Sequence, residues 1–325
     1  MKRTVKMLAL LLILSLLAAE NLPCVILKGS SSAMNYPKPE LRCSGDIDLY
    51  FSPDEINRAQ ALLTAQGYVL SEGNDSTGGH RAMHRGPFIV ELHHAPSGLP
   101  DSPVGDAIRA YFLGAERIPM LVNGLPTLPA DRRAVLLLAH KLEHVMTSGL
   151  GLRQLCDWAV FVAKELSPQL WTELSPTLSR FGLFYFCRIV TRTCVEYLGL
   201  PAERAAWCMD ASAETSRALM EDMLSSGNFG HKENRYGQRL FTNIEAKGRI
   251  SSFFRTGIAV CREHWPVCER YPLLLPIAPA VLLARYRRQR KDGLRPALRP
   301  VIVYQGAAAR QKLYKELRPF VAEDE

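Results

Sequence analysis

Apolar residues in the first part of the chain follow the patterns of both strands and helices. The short apolar run 24–27 (CVIL) predicts a buried strand. Apolar and polar residues alternate in 46–51 and 88–93, which predicts strands with one face in the core. Between them, 52–67 carries a capping box, apolar residues at helical spacing and a closing glycine, so a helix is predicted there.

From about residue 130 the apolar residues take on helical spacing. The predicted helices are Arg133–Met146, Leu152–Glu165, Thr177–Leu198, Ala213–Ser225 and Ser251–Cys261. The sequence therefore predicts an α/β (α+β) fold class, with an α/β domain in residues 1–127 and a mostly helical domain in residues 128–325.

The N-terminus has the pattern of a secretory signal. Lys2 and Arg3 precede an apolar run from Met7 to Ala19, which is shorter than the roughly 20 residues of a membrane span. We expect this run to be a helix packed beneath the strand at 24–27, and the protein to be cytoplasmic with no transmembrane span. Cleavage of a signal peptide after Ala19 is the alternative.

Composition narrows the range of partners. The formal net charge of +8 over 325 residues favours an anionic partner. Eight cysteines occur without a CxxC pair, which favours buried reduced thiols over a cysteine zinc site. The apolar segment 271–283 and the basic residues after it either lie together on an anionic membrane surface, or the segment is buried in the protein and is followed by an exposed basic stretch. No RNA-binding motif accompanies the basic residues.

Asp46 and Asp48 are the first candidate catalytic residues. Residues two apart on a strand point to the same side, so GDIDL places both carboxylates together while Ile47 and Leu49 face the core. Adjacent carboxylates repel each other, and hard cations relieve the repulsion. Two Mg²⁺ ions about 3.5–4 Å apart can serve both oxygens of an in-line phosphoryl displacement. The pair therefore predicts a magnesium site for phosphoryl chemistry.

Two further elements complete the predicted site. Gly29-Ser30 follows a predicted strand and opens a helix, where free backbone N–H groups can hold phosphate oxygens. Glu91 and His93 share the face of their strand opposite Val90 and the other apolar residues. Glu91 is either a third metal ligand or an exposed glutamate on an edge strand.

These motifs resemble a family of uncharacterised bacterial nucleotidyltransferases within the DNA polymerase β-like superfamily. The similarity lies in LKGSSSAMNYPKPELRCSGDIDLYF (27–51), VELH (90–93), the paired histidines His140 and His144, and GLGLRQLCDW (149–158). It covers about residues 20–165. The segment between Gly29-Ser30 and Asp46 is longer than in the commoner members of the superfamily.

The resemblance implies a small mixed sheet with flanking helices, and a reaction that transfers a nucleoside monophosphate from an NTP to an unidentified acceptor with release of pyrophosphate. It implies that Asp46, Asp48 and Glu91 bind two Mg²⁺ ions, or Mn²⁺ in their place, and that Gly29-Ser30 holds the phosphates. The second domain would select the acceptor or close the cleft. Lys28 is a candidate phosphate contact, or else a solvated residue at the end of a strand. Arg42 is also a candidate phosphate contact, or else forms a salt bridge that braces the loop.

Other interpretations stay open. In one alternative, the protein is a catalytically inactive module that binds nucleotide. In another, it is a zinc hydrolase in which His140, Glu143 and His144 form the HxxEH motif and Glu221 is a further zinc ligand. His140 and His144 are otherwise core residues. Arg153 and Asp157, four apart, form a surface pair on a helix or contact substrate.

Overall fold

A computed structural model describes residues 2–42, 45–71, 80–100, 102–146, 149–226, 265, 267–291 and 312–322. The chain divides into two compact units. The first unit contains Met1–Glu143, Leu152–Arg217 and Arg318–Glu325, and the second contains His144–Gly151 and Ala218–Leu317. The predicted division at residue 127/128 stays a prediction. The predicted helix at 251–261 lies outside the described residues.

The first unit contains a seven-stranded mixed sheet. Its strands are β1 (Val25–Ile26), β2 (Ile47–Tyr50), β3 (Val69–Leu70), β4 (His80–Arg85), β5 (Phe88–His93), β6 (Met120–Val122) and β7 (Leu125–Thr127). Their order is β3-β4-β5-β2-β1-β7-β6. Strand β2 pairs antiparallel with β1 and parallel with β5, so β2 lies between the two strands that carry the other candidate residues. The predicted fold class is confirmed.

Helices make up most of the rest of the described chain. They are α1 (Lys2–Ala19), α2 (Ser30–Ala33), α3 (Ile56–Ala65), α4 (Pro103–Phe112), α5 (Ala130–Met146), α6 (Leu152–Lys164), α7 (Pro168–Arg180), α8 (Phe184–Leu198), α9 (Ala213–Ser226), α10 (Val267–Arg270) and α11 (Ala278–Lys291). Residues 312–317 are also helical. Short 3₁₀ turns occupy Pro39–Leu41, Ala115–Arg117, Ala202–Arg204, Ala206–Cys208 and Pro272–Leu274.

Helix α1 belongs to the core of the first unit, as predicted. Leu10, Ile13 and Leu17 are buried in one cluster with Ile26 of β1 and Leu49 of β2. Full burial of such a side chain stabilises a fold by about 1.5–3 kcal/mol. None of the helices in the described ranges is both long and apolar enough to cross a membrane. The cytoplasmic location stays a prediction.

One predicted helix is wrong. The stretch Thr177–Leu198 is two helices, because α7 ends before Gly182 and α8 begins after it. Gly182 has φ of 61°, a left-handed conformation that glycine adopts without a steric penalty. A Cβ at this position would also lie 2.3 Å from the backbone carbon of Phe320. Helical periodicity on both sides of the break concealed the turn.

The second unit has its own small core. Cys268 and Ala278 are buried there, with Trp265, Leu274 and Leu275 packed against them. Tyr314 donates a 2.5 Å hydrogen bond from its hydroxyl to the carbonyl oxygen of Val145. The alternative that 271–283 forms a buried segment is wrong for Leu273 and Ile277, which are exposed because the turn at Pro272–Leu274 interrupts the run.

Candidate active site

The pairing of β2 with β5 brings the candidate carboxylates side by side. In the parallel register Asp48 lies opposite Glu91 and Tyr50 lies opposite His93. The apolar neighbours Ile47 and Leu49 point into the core, which fixes Asp48 on the other face of the sheet. The alternation of each strand therefore carries both carboxylates to one place.

Asp48, Glu91 and His93 form a group that could hold a metal ion. Each offers one ligand atom, and these atoms lie within 4.8 Å of one another. Asp48 is 1% exposed, and its Oδ2 is buried with no hydrogen-bond partner in the described part of the chain. A buried carboxylate oxygen without a donor is costly unless a ligand completes it. These residues therefore fit a divalent cation.

The other carboxylate oxygen of Asp48 has two partners. Lys28 Nζ lies 3.2 Å from Oδ1, and His93 Nε2 lies 3.1 Å from the same atom. Burial by itself raises the pKa of Asp48, but Lys28 and His93 outweigh burial and hold the pKa well below its usual value. Asp48 is therefore ionised at neutral pH.

His93 is a residue of this group that the sequence did not predict as functional. Its Nε2 lies 3.2 Å from Glu91 Oε2 as well as beside Asp48, and its ring stacks on that of His80. Burial lowers the pKa of His93, but the hydrogen bonds to Asp48 and Glu91 raise it above the usual value. The signal was present in the sequence, because His93 shares the Glu91 face of β5.

Lys28 lies at the end of β1, between Asp48 and helix α5. Its ammonium is 3.4 Å from His140 Nε2, and its side chain is 19% exposed, so it is not a solvated strand end. Burial lowers the pKa of Lys28, but Asp48 and Glu91 raise it above the usual value. A contact with phosphate stays a prediction.

His140 of α5 reaches the carboxylate group through Lys28. Its Nδ1 lies 3.4 Å from Glu143 Oε2. Burial, together with the positive charge of Lys28, lowers the pKa of His140 well below 6.5, so the ring is neutral and Nε2 accepts from the ammonium. In the described residues, the group that could hold a metal does not include His140, Glu143 or His144. His144 and Glu221 belong to the second unit. The zinc-hydrolase alternative therefore gains no support.

Asp46 precedes β2 and is half-buried. Burial raises the pKa of Asp46, and the charges of Asp48 and Glu91 raise it further. This coupling places its carboxylate near the group. Gly29 has φ of 67°, and helix α2 begins at the next residue, Ser30. The glycine–serine turn thus directly follows Lys28.

The guanidinium of Arg42 is bound to Asp157 of α6. Nη2 lies 2.5 Å from Asp157 Oδ2, and Nε donates to Oδ1 at 3.1 Å. The hydroxyl of Tyr36 donates to the same Oδ1 at 2.8 Å. This geometry is the loop-bracing salt bridge, and the carboxylate of Asp157 is bound here rather than in a surface pair with Arg153. The role of Arg42 in phosphate binding stays a prediction.

A second carboxylate, directly after the end of α6, holds the start of this loop. Glu165 accepts hydrogen bonds from Asn35 and from Arg133. Arg133 in turn donates to Thr127 Oγ1 at 3.2 Å, at the end of β7. The segment 35–42 is therefore fastened at both ends to the helices that follow the sheet.

A model of one protein family, described as uncharacterised nucleotidyltransferases, matches residues 1–199. The chain belongs to this nucleotidyltransferase family. The match covers every element from α1 to α8, and therefore all the residues of the candidate site. No curated protein and no solved structure matches the chain. The resemblance to a family of uncharacterised nucleotidyltransferases is thus confirmed, and nucleotidyl transfer is the activity that the family suggests.

Proposed function

We propose that the protein is a metal-dependent nucleotidyltransferase, which transfers a nucleoside monophosphate from an NTP to an acceptor that remains to be identified. The observation that carries the proposal is the open coordination position on Asp48. Its Oδ2 is buried without a partner in the described chain, next to the carboxylate of Glu91. Membership of the nucleotidyltransferase family supports the same reaction.

Asp48 and Glu91 would hold the cation, with Asp46 as the third carboxylate. Magnesium prefers carboxylate oxygens, and Mn²⁺ accepts the same ligands. Two such ions, when bound, would neutralise charge on the triphosphate and lower the pKa of an attacking hydroxyl. Asp46 and Glu91 are the two carboxylate residues of the group that are not fully buried.

We assign His93 to the positioning of the carboxylates rather than to metal binding. A histidine that binds metal usually donates its second ring N–H to a protein oxygen. If Nε2 bound an ion, the proton would lie on Nδ1, which is buried with no partner among the described residues. With the proton on Nε2, the ring instead bridges Asp48 and Glu91. This bridge fixes the distance between the two strands' carboxylates.

The remaining residues of the chain would bind the substrate. Backbone N–H groups after Gly29 would hold phosphate oxygens, and Lys28 would supply a positive charge beside them. The acceptor's oxygen or nitrogen would attack the α-phosphorus. One bond forms between the acceptor atom and phosphorus, and the bond from phosphorus to the α,β-bridging oxygen breaks, which releases pyrophosphate.

The test is transfer of label from the four α-labelled NTPs in the presence of Mg²⁺ and cell extract. We expect a labelled acceptor with the wild-type protein and none with Asp46→Asn plus Asp48→Asn. Asp54→Asn, an exposed aspartate in the same unit, is the matched control and keeps full activity. Transfer by the double variant contradicts the proposal.

Nucleotide binding without turnover, in the presence of every acceptor fraction, would instead establish the inactive binding module. Stoichiometric zinc that is lost in His140→Ala would establish the hydrolase. That residues 128–325 select the acceptor stays a prediction, and acceptor profiles of chimeric proteins would test it.

A further inference from the structure

Lys28 places a fixed positive charge inside the carboxylate group. Its ammonium contacts Asp48 Oδ1, while Oδ2 of the same carboxylate has no partner in the described chain. A cation that binds Oδ2 therefore meets a resident ammonium on the opposite oxygen of one carboxylate. Like charges at this separation repel strongly wherever water is excluded.

A second lysine adds to this charge. Lys6 of α1 lies close enough to Asp46 and Asp48 for both carboxylates to act on its ammonium, although burial lowers its pKa overall. The acidic group Asp46, Asp48 and Glu91 is thus partly neutralised by ammonium groups before any ion arrives. A site with so little net negative charge holds a free divalent ion weakly.

We propose that Lys28 is a resident counter-cation that makes divalent-ion binding depend on the nucleotide. The inference rests on the proposed function, because it needs a triphosphate as ligand. Without nucleotide, the ammonium and the ion compete for the charge of Asp48. With nucleotide, the polyanionic triphosphate satisfies the ammonium and the ion together.

The surroundings of Lys28 suit this exchange. Lys28 directly precedes the Gly29-Ser30 turn, at which the phosphates are proposed to bind. The neutral ring of His140 also accepts from the ammonium, at 3.4 Å, and Glu143 contacts the other ring nitrogen. The contact with His140 can therefore hold the ammonium while its contact with Asp48 changes. Ion and triphosphate would enter as one complex.

The experiment measures Mn²⁺ binding to the metal-free, full-length protein by electron paramagnetic resonance. It is done with and without an NTP analogue whose α,β-bridging oxygen is replaced by methylene, which prevents transfer. Lys28→Met removes the charge and keeps an unbranched apolar side chain that is one atom shorter, Lys28→Arg keeps the charge, and Lys164→Met removes an exposed charge on the same unit. Far-UV circular dichroism and thermal unfolding establish that each variant is folded.

Without nucleotide, we expect Lys28→Met to bind Mn²⁺ about 10- to 100-fold more tightly than the wild type. This range corresponds to the repulsion between the Lys28 ammonium and the ion at a site that is neither fully hydrated nor fully buried. Lys28→Arg and Lys164→Met should resemble the wild type. The analogue should tighten Mn²⁺ binding far more in the wild type than in Lys28→Met.

Equal Mn²⁺ affinity in the wild type and Lys28→Met overturns the inference and leaves the proposed function standing. The same holds if the wild type binds Mn²⁺ equally well with and without the analogue, an outcome that needs no variant to fold. Absence of Mn²⁺ binding under every condition, together with absence of label transfer, overturns the proposed function as well.

Discussion

Two buried aspartates in the first unit differ in how completely they are hydrogen-bonded. Asp157 on α6 accepts from Tyr36 and twice from Arg42, so each of its oxygens has a donor. Asp48 on β2 has both of its partners on Oδ1, and its Oδ2 has none in the described chain. A buried carboxylate whose two oxygens both accept hydrogen bonds from the protein stabilises the fold. A buried carboxylate with one oxygen that lacks a donor is instead available to bind a ligand. The two sites should therefore respond oppositely to the same substitution.

Asp48→Asn should cause the largest change, and the change should be in activity. Loss of the ionised ligand removes several kcal/mol of stabilisation of transition-state charge, so label transfer should fall about 10⁴-fold, or about 5 kcal/mol. The measurement is the initial rate of transfer at saturating NTP and Mg²⁺. Retention of more than a tenth of the activity would remove Asp48 from the proposed ligand set.

Asp157→Asn should instead affect the free energy of unfolding. Removal of one partner of a buried ion pair typically destabilises by about 3–5 kcal/mol, because the other charge stays buried. Both side chains of this pair are nearly inaccessible, at 9% for Arg42 and 5% for Asp157. Urea unfolding measures the loss, and Mn²⁺ affinity of the folded variant should not change. A loss below 1 kcal/mol would show that the pair is solvated, and Asp54→Asn is the control for the change of net charge.

The sequence predicted the environment of Asp48 better than that of Asp157, because a sequence pattern reports only on residues that are close together in the chain. Alternation along β2 and β5 is local, and it predicted that Asp48 and Glu91 each lie on the face of their own strand opposite the apolar residues. The partner of Asp157 is 115 residues away, so the spacing of four from Arg153 indicated the wrong arginine. A period of two or four residues reports which face a side chain occupies, and it cannot report what another element brings to that face.

The same limit applies to Lys28 and His140, which are 112 residues apart. His140 and Glu143 of the HxxEH pattern are three residues apart on α5, and they contact each other. It could not show that strand β1 brings an ammonium to the imidazole. The site's carboxylates were thus predictable from the sequence, whereas the cations and donors that set their charge depend on tertiary packing.

Lys28, which is partly buried, and Lys141, which is fully buried, provide a second comparison. Carboxylates raise the pKa of Lys28 against the effect of burial, whereas burial lowers the pKa of Lys141 from 10.5 to about 8. Lys141 Nζ donates to the carbonyl of Leu137 and lies over the ring of Trp158. At neutral pH the folded protein therefore buries the charged ammonium of Lys141, which forms no direct ion pair with any residue that the structure describes.

Lys141→Met should stabilise the protein at pH 7 by about 3 kcal/mol, the cost that corresponds to a pKa lowered from 10.5 to about 8, since methionine fills most of the space without the buried charge. Between pH 8 and 10.5 the unfolded chain binds a proton at Lys141 that the folded chain has lost, so the wild type gains stability at this site as pH rises. The advantage of the variant should be full below pH 8 and disappear by about pH 10.5. Urea unfolding of both proteins across this range is the measurement, and an advantage independent of pH would contradict the prediction.

Tyr36→Phe should have the smallest effect, because it removes one donor from Asp157 and leaves both Arg42 contacts in place. Burial, followed by the charge of Asp157, raises the pKa of the Tyr36 hydroxyl, so the phenol is protonated and donates. Loss of one hydrogen bond in a retained ion pair should destabilise by about 0.5–1.5 kcal/mol. A double-mutant cycle with Asp157→Asn measures the coupling. A loss as large as that of Asp157→Asn alone would mean that the tyrosine, and not the arginine, completes this carboxylate.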